Sequence, residues 1–367
     1  MERKEILRII MNLARERAPS GLEEARGQVF KEEIERTLKD TNIPVEKDSL
    51  GNVFVKFESQ KSTKSIAIFA HLDEIGGTIR KINKDGTLEF SKRGGYETRW
   101  IISRVIQILN KDNEWINGVI EGRSTHSTPN KLRNKESIEL YEQKIFIGAQ
   151  NKEDVLDSYK VHIGAPFVFS GMFDLLNPEI DDDIISGYSM DNLVAVTSLI
   201  SLAQKIRAEM LNSNQKLSND YNIYIVATTR EEIGTEGALF FARNKKIDHV
   251  IALDIGLVAD FSGAVSSDIK LRGGPAIIWQ ERTGVGIFDY NAYKKIVEVA
   301  EKNNLEYQDG VCEFYGSDAG NAQKWLGIPS ILVGIPVLYS HNVPEISTLS
   351  GIEAAATLIF NYLKNLD

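Results

Sequence analysis

The stretch Ser65-Ile-Ala-Ile-Phe-Ala-His71-Leu-Asp-Glu74 decides how this chain is read. Residues 66–70 are uniformly apolar and too few for a helix of ordinary length, which is the pattern of a buried strand. A polar run, His71-Leu-Asp-Glu74, follows directly at its carboxyl end. Open α/β sheets hold their ligands at that end of their strands. Upstream, residues 3–18 carry Ile6, Ile9, Ile10 and Leu13 at helical spacing, and Pro19 ends the run. Ser20-Gly-Leu-Glu23 has the form of a capping box that opens a second helix to Leu38, and Val53–Phe57 alternates as a strand. Downstream the texture changes. Residues 76–169 hold short alternating runs separated by turn signals such as Asp85-Gly86, Gly94-Gly95 and Asn117-Gly118, which predicts a small all-β domain.

Helix–strand alternation resumes near residue 187. The pattern predicts a helix over 191–208, a polar loop over Leu211–Asp220, a strand over 221–228, a helix over 236–244 and a strand over 249–254. A helix over 290–303, strands near 306–312 and 330–334, and a last helix over 347–364 complete it. The fold class is therefore α/β, a sheet with helices on both faces. Residues 1–75 and 170–367 form the α/β domain, and 76–169 form a β-rich domain inserted into it.

Composition narrows the function. The chain has 367 residues, enough for a large core without disulfides. Acids outnumber bases by 52 to 43 for a net charge of −9, and no Lys/Arg block occurs, so neither nucleic acid nor an anionic membrane is an expected partner. No segment of 18 apolar residues occurs, so no membrane span is expected. The single cysteine, Cys312, excludes a thiolate zinc site and fits a reducing cytoplasm. Any histidine with a chemical role is one of His71, His126, His162, His249 and His341.

Polar residues stand just after four buried strands: His71, Glu231-Glu232, Asp254 and His341. Asp191 opens the helix that follows the inserted region. The set His71, Asp191, Glu232, Asp254 and His341 mixes imidazole with carboxylate, which suits zinc, cobalt or manganese. Five protein ligands exceed the needs of one catalytic zinc but suit two ions sharing a carboxylate. Glu231 precedes a ligand candidate and could act as general base. Each residue has an ordinary alternative: Glu231-Glu232 a solvated helix start, Asp191 an N-cap, Asp254 a strand-end acid, His341 a loop residue. His126, His162 and His249 read as loop or strand residues, and Cys312 as a strand residue. Gly284-Val-Gly286 lacks the third glycine of a dinucleotide loop, and no P-loop, G-x-S-x-G or H-E-x-x-H occurs.

Several segments, in order, resemble the M42 metallo-aminopeptidases, a family that also carries glutamyl-aminopeptidase and endoglucanase labels. They are Ala18–Glu24, Ala70-His-Leu-Asp-Glu-Ile-Gly76, Ser189-Met-Asp-Asn-Leu193, Thr229-Arg-Glu-Glu-Ile-Gly-Thr-Glu-Gly-Ala238, Gly316-Ser-Asp-Ala319 and Ile335–Glu345. The resemblance implies a zinc-exopeptidase-like mixed sheet and hydrolysis of N-terminal residues from peptides. It implies two divalent ions, zinc or cobalt first and manganese as a further candidate. Asp191 would bridge them, His71 and Asp254 would complete one shell, and Glu232 and His341 the other. Glu231 would be the general base and acid, and Asp73 would orient His71. It further implies a homo-oligomer, often a dodecamer, assembled through the inserted domain.

The chain departs from the family at Asn192 and Leu193, where Asp and Arg are usual, and at Leu338, where Arg is usual. Losing two cationic positions predicts a weaker preference for acidic side chains, to which the acidic run Asp181–Asp183 could add. An M20-type dinuclear exopeptidase or deacylase shares the ligand chemistry, but its extra domain follows the Glu-Glu pair, whereas here the long insert precedes it. A protein that keeps the fold without catalysis is a further alternative. A glucanase would need two carboxylates without metal, which this set fits poorly.

Overall fold

The computed structural model describes residues 1–59, 63–124, 126–129, 139–213, 221–259, 267–281 and 287–366. The chain begins with helices α1 (Arg3–Arg15) and α2 (Glu24–Thr37), then strands β1 (Val45–Lys47), β2 (Val53–Phe57) and β3 (Ser65–His71). Next come β4 (Gly76–Ile82), β5 (Leu88–Arg93), β6 (Val105–Leu109), β7 (Trp115–Ile120), β8 (Ile145–Phe146), the short helix α3 (Lys152–Asp157) and β9 (Pro166–Phe169). Strands β10 (Asp174–Asn177) and β11 (Asp181–Gly187) lead into α4 (Met190–Ser213), β12 (Asn222–Thr228), α5 (Glu236–Lys245) and β13 (His249–Leu257). The remainder is β14 (Ala276–Glu281), α6 (Tyr290–Lys302), β15 (Gln308–Cys312), α7 (Asp318–Leu326), β16 (Ser330–Val337), β17 (Glu345–Thr348) and α8 (Leu349–Lys364).

Eight strands form one mixed sheet in the order β1-β2-β12-β3-β13-β16-β14-β15. Its centre, β12, β3, β13 and β16, is parallel. Strands buried on both faces need apolar residues on both, which is why β3 shows no alternation. Ile66, Ile68 and Ala70 pack with residues of α1, α2, α4, α6 and α8, while Ala67 and Phe69 pack with α5 and α7. Parallel pairing brings the carboxyl ends of the four central strands to one side. β4, β5, β8, β7, β6 and β9 close into a barrel with its own apolar core, including Ile79, Phe90, Ile108, Ile120 and Phe167. Among the described residues, no helix is long and apolar enough to cross a membrane.

Several sequence expectations are corrected. Ser20 and Glu23 do not form a capping box: α2 starts at Glu24 with no side-chain cap, and Ser20 Oγ donates instead to Asp73 Oδ2 at 2.7 Å. α1 stops at Arg15, three residues before the expected end. Asp191 is not an N-cap; it lies within the first turn of α4, where Asp191 and Asn192 have non-helical backbone angles. His162 lies outside the strands. The β10–β11 hairpin and β14 carried no strand expectation; β11 pairs with β17 and β14 with β16. Residues 214–220 of the expected polar loop, and Gly284-Val-Gly286, lie outside the described residues.

Candidate active site

Four strand ends and one helix start converge. His71 is the last residue of β3, and Asp254 lies in β13. Glu231 and Glu232 lie in the turn after β12, His341 in the turn after β16, and Asp191 at the start of α4. Asp191 occupies the middle. Its Oδ1 is 3.0 Å from His71 Nε2 and its Oδ2 is 3.2 Å from His341 Nε2. His341 Nε2 is also 3.4 Å from Glu232 Oε1, and His71 Nε2 is 3.9 Å from both Glu231 Oε2 and Asp254 Oδ1. His71, Asp191 and Glu232 each offer one ligand atom within 4.8 Å of the others. The seven positions expected at the site, Asp73 included, are thus brought together, while His126, His162 and His249 do not join the histidine–carboxylate contacts among the described residues.

A buried frame holds these groups. Asp73 is fully buried; its Oδ1 accepts from the Glu231 N–H at 2.9 Å and its Oδ2 from the Glu232 N–H at 3.1 Å. His71 Nδ1 hydrogen-bonds the main-chain oxygen of Asp73 at 3.1 Å, whereas the Asp73 carboxylate stands 3.6 Å away. Asp73 therefore fixes His71 through its carbonyl and the two glutamates through its carboxylate. Glu345 carried no expectation, yet it braces two of the candidate ligand positions: Oε1 accepts from the His341 N–H at 2.9 Å and Oε2 from the Asp191 N–H at 3.3 Å. Only the segment containing it was recognisable, because a carboxylate bound to backbone N–H groups leaves no spacing signature. From the barrel, Gly94 comes so close that a Cβ there would lie 3.1 Å from Glu232 Oε2, and its φ of +82° favours glycine.

The electrostatics test whether cations fit. Burial raises the Glu231 carboxyl well above the usual range, and the charges of Asp254, Asp318 and Glu232 add to it against His71. Burial likewise raises Asp254, with Asp191 and Asp318 adding to it. Burial and the Asp191 charge push Glu345 up to about 8, and burial pushes Asp318 up to about 7. Burial opposes ionisation of Asp191 too, but hydrogen bonds from His341 and His71 win and hold it far below the carboxylate range. Glu232 Oε1 is buried without a hydrogen-bond partner. Acids crowded so closely, with Glu232 Oε1 faced by His341 at 3.4 Å but by no hydrogen-bond donor in good geometry, need compensating positive charge. Imidazole and carboxylate donors facing one another across Asp191 fit divalent-cation binding.

A cavity of about 940 Å³ opens on this cluster and takes Lys92, Tyr96 and Trp100 of the barrel into its wall. The three departures stay out of that wall. Leu193 is buried in the main apolar core, Leu338 packs against the second one, and Asn192 Nδ2 donates to the Leu253 carbonyl at 3.1 Å. Asp181–Asp183 do not line the cavity either; they pair with Arg3 and Arg272, and Asp183 accepts from the Ser350 N–H. Cys312 is buried in β15, and burial pushes its thiol up to about 11.

The family described as M42 glutamyl aminopeptidase matches residues 51–358. A protein of Acetivibrio thermocellus, provisionally named an aminopeptidase, is 29% identical over 93% of both chains. An aminopeptidase from the archaeon Desulfurococcus kamchatkensis superposes with a TM-score of 0.87 at 26% identity, covering 99% of this chain and 96% of its own. The TET1 peptidase of Pyrococcus horikoshii, which can assemble into a tetrahedron or a large octahedral shell, gives 0.82 at 26% identity over 98% and 100%. The chain belongs to the M42 aminopeptidase family and is a peptide-bond hydrolase of the zinc-exopeptidase-like fold.

Proposed function

We propose that this chain is a dinuclear metal-dependent aminopeptidase that removes N-terminal residues from peptides. One observation carries the reading: the two oxygens of Asp191 face two different histidines, at 3.0 and 3.2 Å. A carboxylate placed so suits a bridge between two cations. His71 and Asp254 would hold one ion, Glu232 and His341 the other. Zinc and cobalt are the first candidates and manganese a further one. When bound, such ions supply Lewis-acid polarisation of the scissile carbonyl and of water.

The chain's own residues do the rest. Glu231, whose side chain is only 11% exposed, takes a proton from the attacking water and returns it to the nitrogen of the leaving amine. Asp73 holds Glu231 and Glu232 by their backbone N–H groups and so acts as a positioning residue. The acidic cluster attracts the free α-ammonium group of the substrate, which confines cleavage to the first residue. We read residues 76–169 as an inserted domain for access and assembly, because Tyr96 and Trp100 reach the cavity from it. Assembly of the Pyrococcus horikoshii neighbour into closed shells supports a homo-oligomer here as well, and the lone buried Cys312 fits the cytoplasm.

Chelation followed by reconstitution tests the reading. Hydrolysis of aminoacyl substrates should vanish with chelator and return with zinc or cobalt. Glu231→Gln should keep two ions per chain by elemental analysis and lose at least about a hundredfold in kcat. A near-normal rate in that variant would refute the base assignment.

A further inference from the structure

The cavity carries information about the substrate that the ligand cluster does not. Leaving aside the metal-binding candidates and Glu231, its described lining holds one cation, Lys92, and one further acid, Glu97. Lys92 is already engaged: its Nζ donates to the Tyr96 main-chain oxygen and stands 4.9 Å from the centre of the Tyr96 ring. Glu97 is exposed to water, which screens its charge. Besides the polar Thr235, Asn321 and Ser340, the wall has an apolar and aromatic side. Leu257 is three residues beyond Asp254 at the end of β13, and Phe314 and Tyr315 precede α7. Phe314 is 78% exposed, and Trp100, which reaches the same cavity from the barrel, is 47% exposed. Large aromatic faces left open to water beside a cavity gain free energy when an apolar group covers them. An acidic first side chain would find Lys92 as the one cation of this described lining, and that ammonium is held against Tyr96 by its carbonyl and its ring rather than aimed from the wall formed by Leu257, Phe314 and Tyr315.

We propose that this site takes peptides whose first residue carries a large apolar or aromatic side chain, with Phe314 as a specificity-determining residue. The proposal rests on the aminopeptidase reading and deepens it. It also departs from the glutamyl preference in the family's description.

The test uses the full chain reconstituted with zinc or cobalt and a panel of Phe, Leu, Ala, Glu and Lys p-nitroanilides. Values of kcat/KM for Phe and Leu should exceed those for Glu and Lys by about tenfold or more. Phe314→Ala should lower the Phe-to-Ala ratio of kcat/KM by about tenfold, a result that an altered fold or metal load would not give on its own. Phe314→Lys should raise the Glu-to-Phe ratio. Fastest turnover of the Glu or Lys derivative, or an unchanged Phe-to-Ala ratio in Phe314→Ala, would overturn the proposal and leave the aminopeptidase reading standing. No turnover of any derivative with either metal would overturn both.

Discussion

Asp73 joins two of the strand-end turns at the site. Its carbonyl oxygen serves His71 on β3, and its carboxylate serves the N–H groups of Glu231 and Glu232 beyond β12. Ser20 Oγ donates to the same carboxylate, whose pKa lies below the usual range because these donors and the nearby His71 outweigh burial. Replacing one oxygen by an NH2 group would set donor against donor around a fully buried side chain. Asp73→Asn should therefore release the Glu231–Glu232 turn, weakening metal binding about 10- to 100-fold and lowering kcat. Titration with zinc, read by calorimetry, checks the first effect and substrate kinetics the second. A variant with normal metal affinity and normal kcat would show that the carboxylate contacts do not position the site. The convergence of the candidate ligand positions was legible because strand ends and metal-ligand residue types coincide in the sequence. The Asp73–Glu231 link was not, because a carboxylate-to-backbone bond depends on which turns the fold brings together.

At the scale of elements, α2 reaches the site through Arg26. The guanidinium is fully buried and donates to the carbonyls of Glu16 and Leu72, to Ser189 Oγ and to Glu74 Oε1 at 2.6 Å. It thus ties the end of α1 to the end of β3 and to the residue before Met190 and Asp191. Removing one partner from a buried pair leaves the other charge uncompensated. Arg26→Met should cost about 3–5 kcal/mol, and Glu74→Gln should restore part of it when combined with Arg26→Met. Urea unfolding of the singles and the double would measure that coupling, and additive losses would deny it. Strands such as β3 and β16 could be recognised from apolar runs, since burial on two faces leaves that trace. Helical spacing puts Arg26 on the face of Phe30 and Ile34, but its partners Glu16, Leu72, Glu74 and Ser189 lie on other elements and leave no trace in the local sequence. β14 follows Gly273-Gly-Pro275, which hid six strand residues behind a turn signal, and the acidic start of β11 hid the hairpin in the same way.

The sheet has two ends with opposite chemistry, and this bears on the stability of the whole molecule. The carboxyl ends of the parallel strands gather acids and histidines, whereas the amino end of β13 carries a half-buried histidine, His249, whose Nε2 is buried. Burial pushes its imidazole down to about 4, against the pull of Asp289 and a backbone bond to Pro329, and its Nε2 has no partner. An unfolded chain would hold the same group near about 6.5, so below that pH the unfolded state binds more protons than the folded one. The contribution of neutral His249 to stability is fully present above about pH 6.5, falls as the pH drops, and is spent by about pH 4. The difference between the two values corresponds to about 3 kcal/mol at most. His249→Leu should therefore flatten the acid limb of the stability curve relative to the parent protein. Comparing the two chains under identical metal loading cancels the titration of the acids at the other end of the sheet. As the pH falls from 7.5 to 4.5, the difference between the two urea midpoints should shift steadily in favour of His249→Leu, and parallel curves would place the acid sensitivity elsewhere.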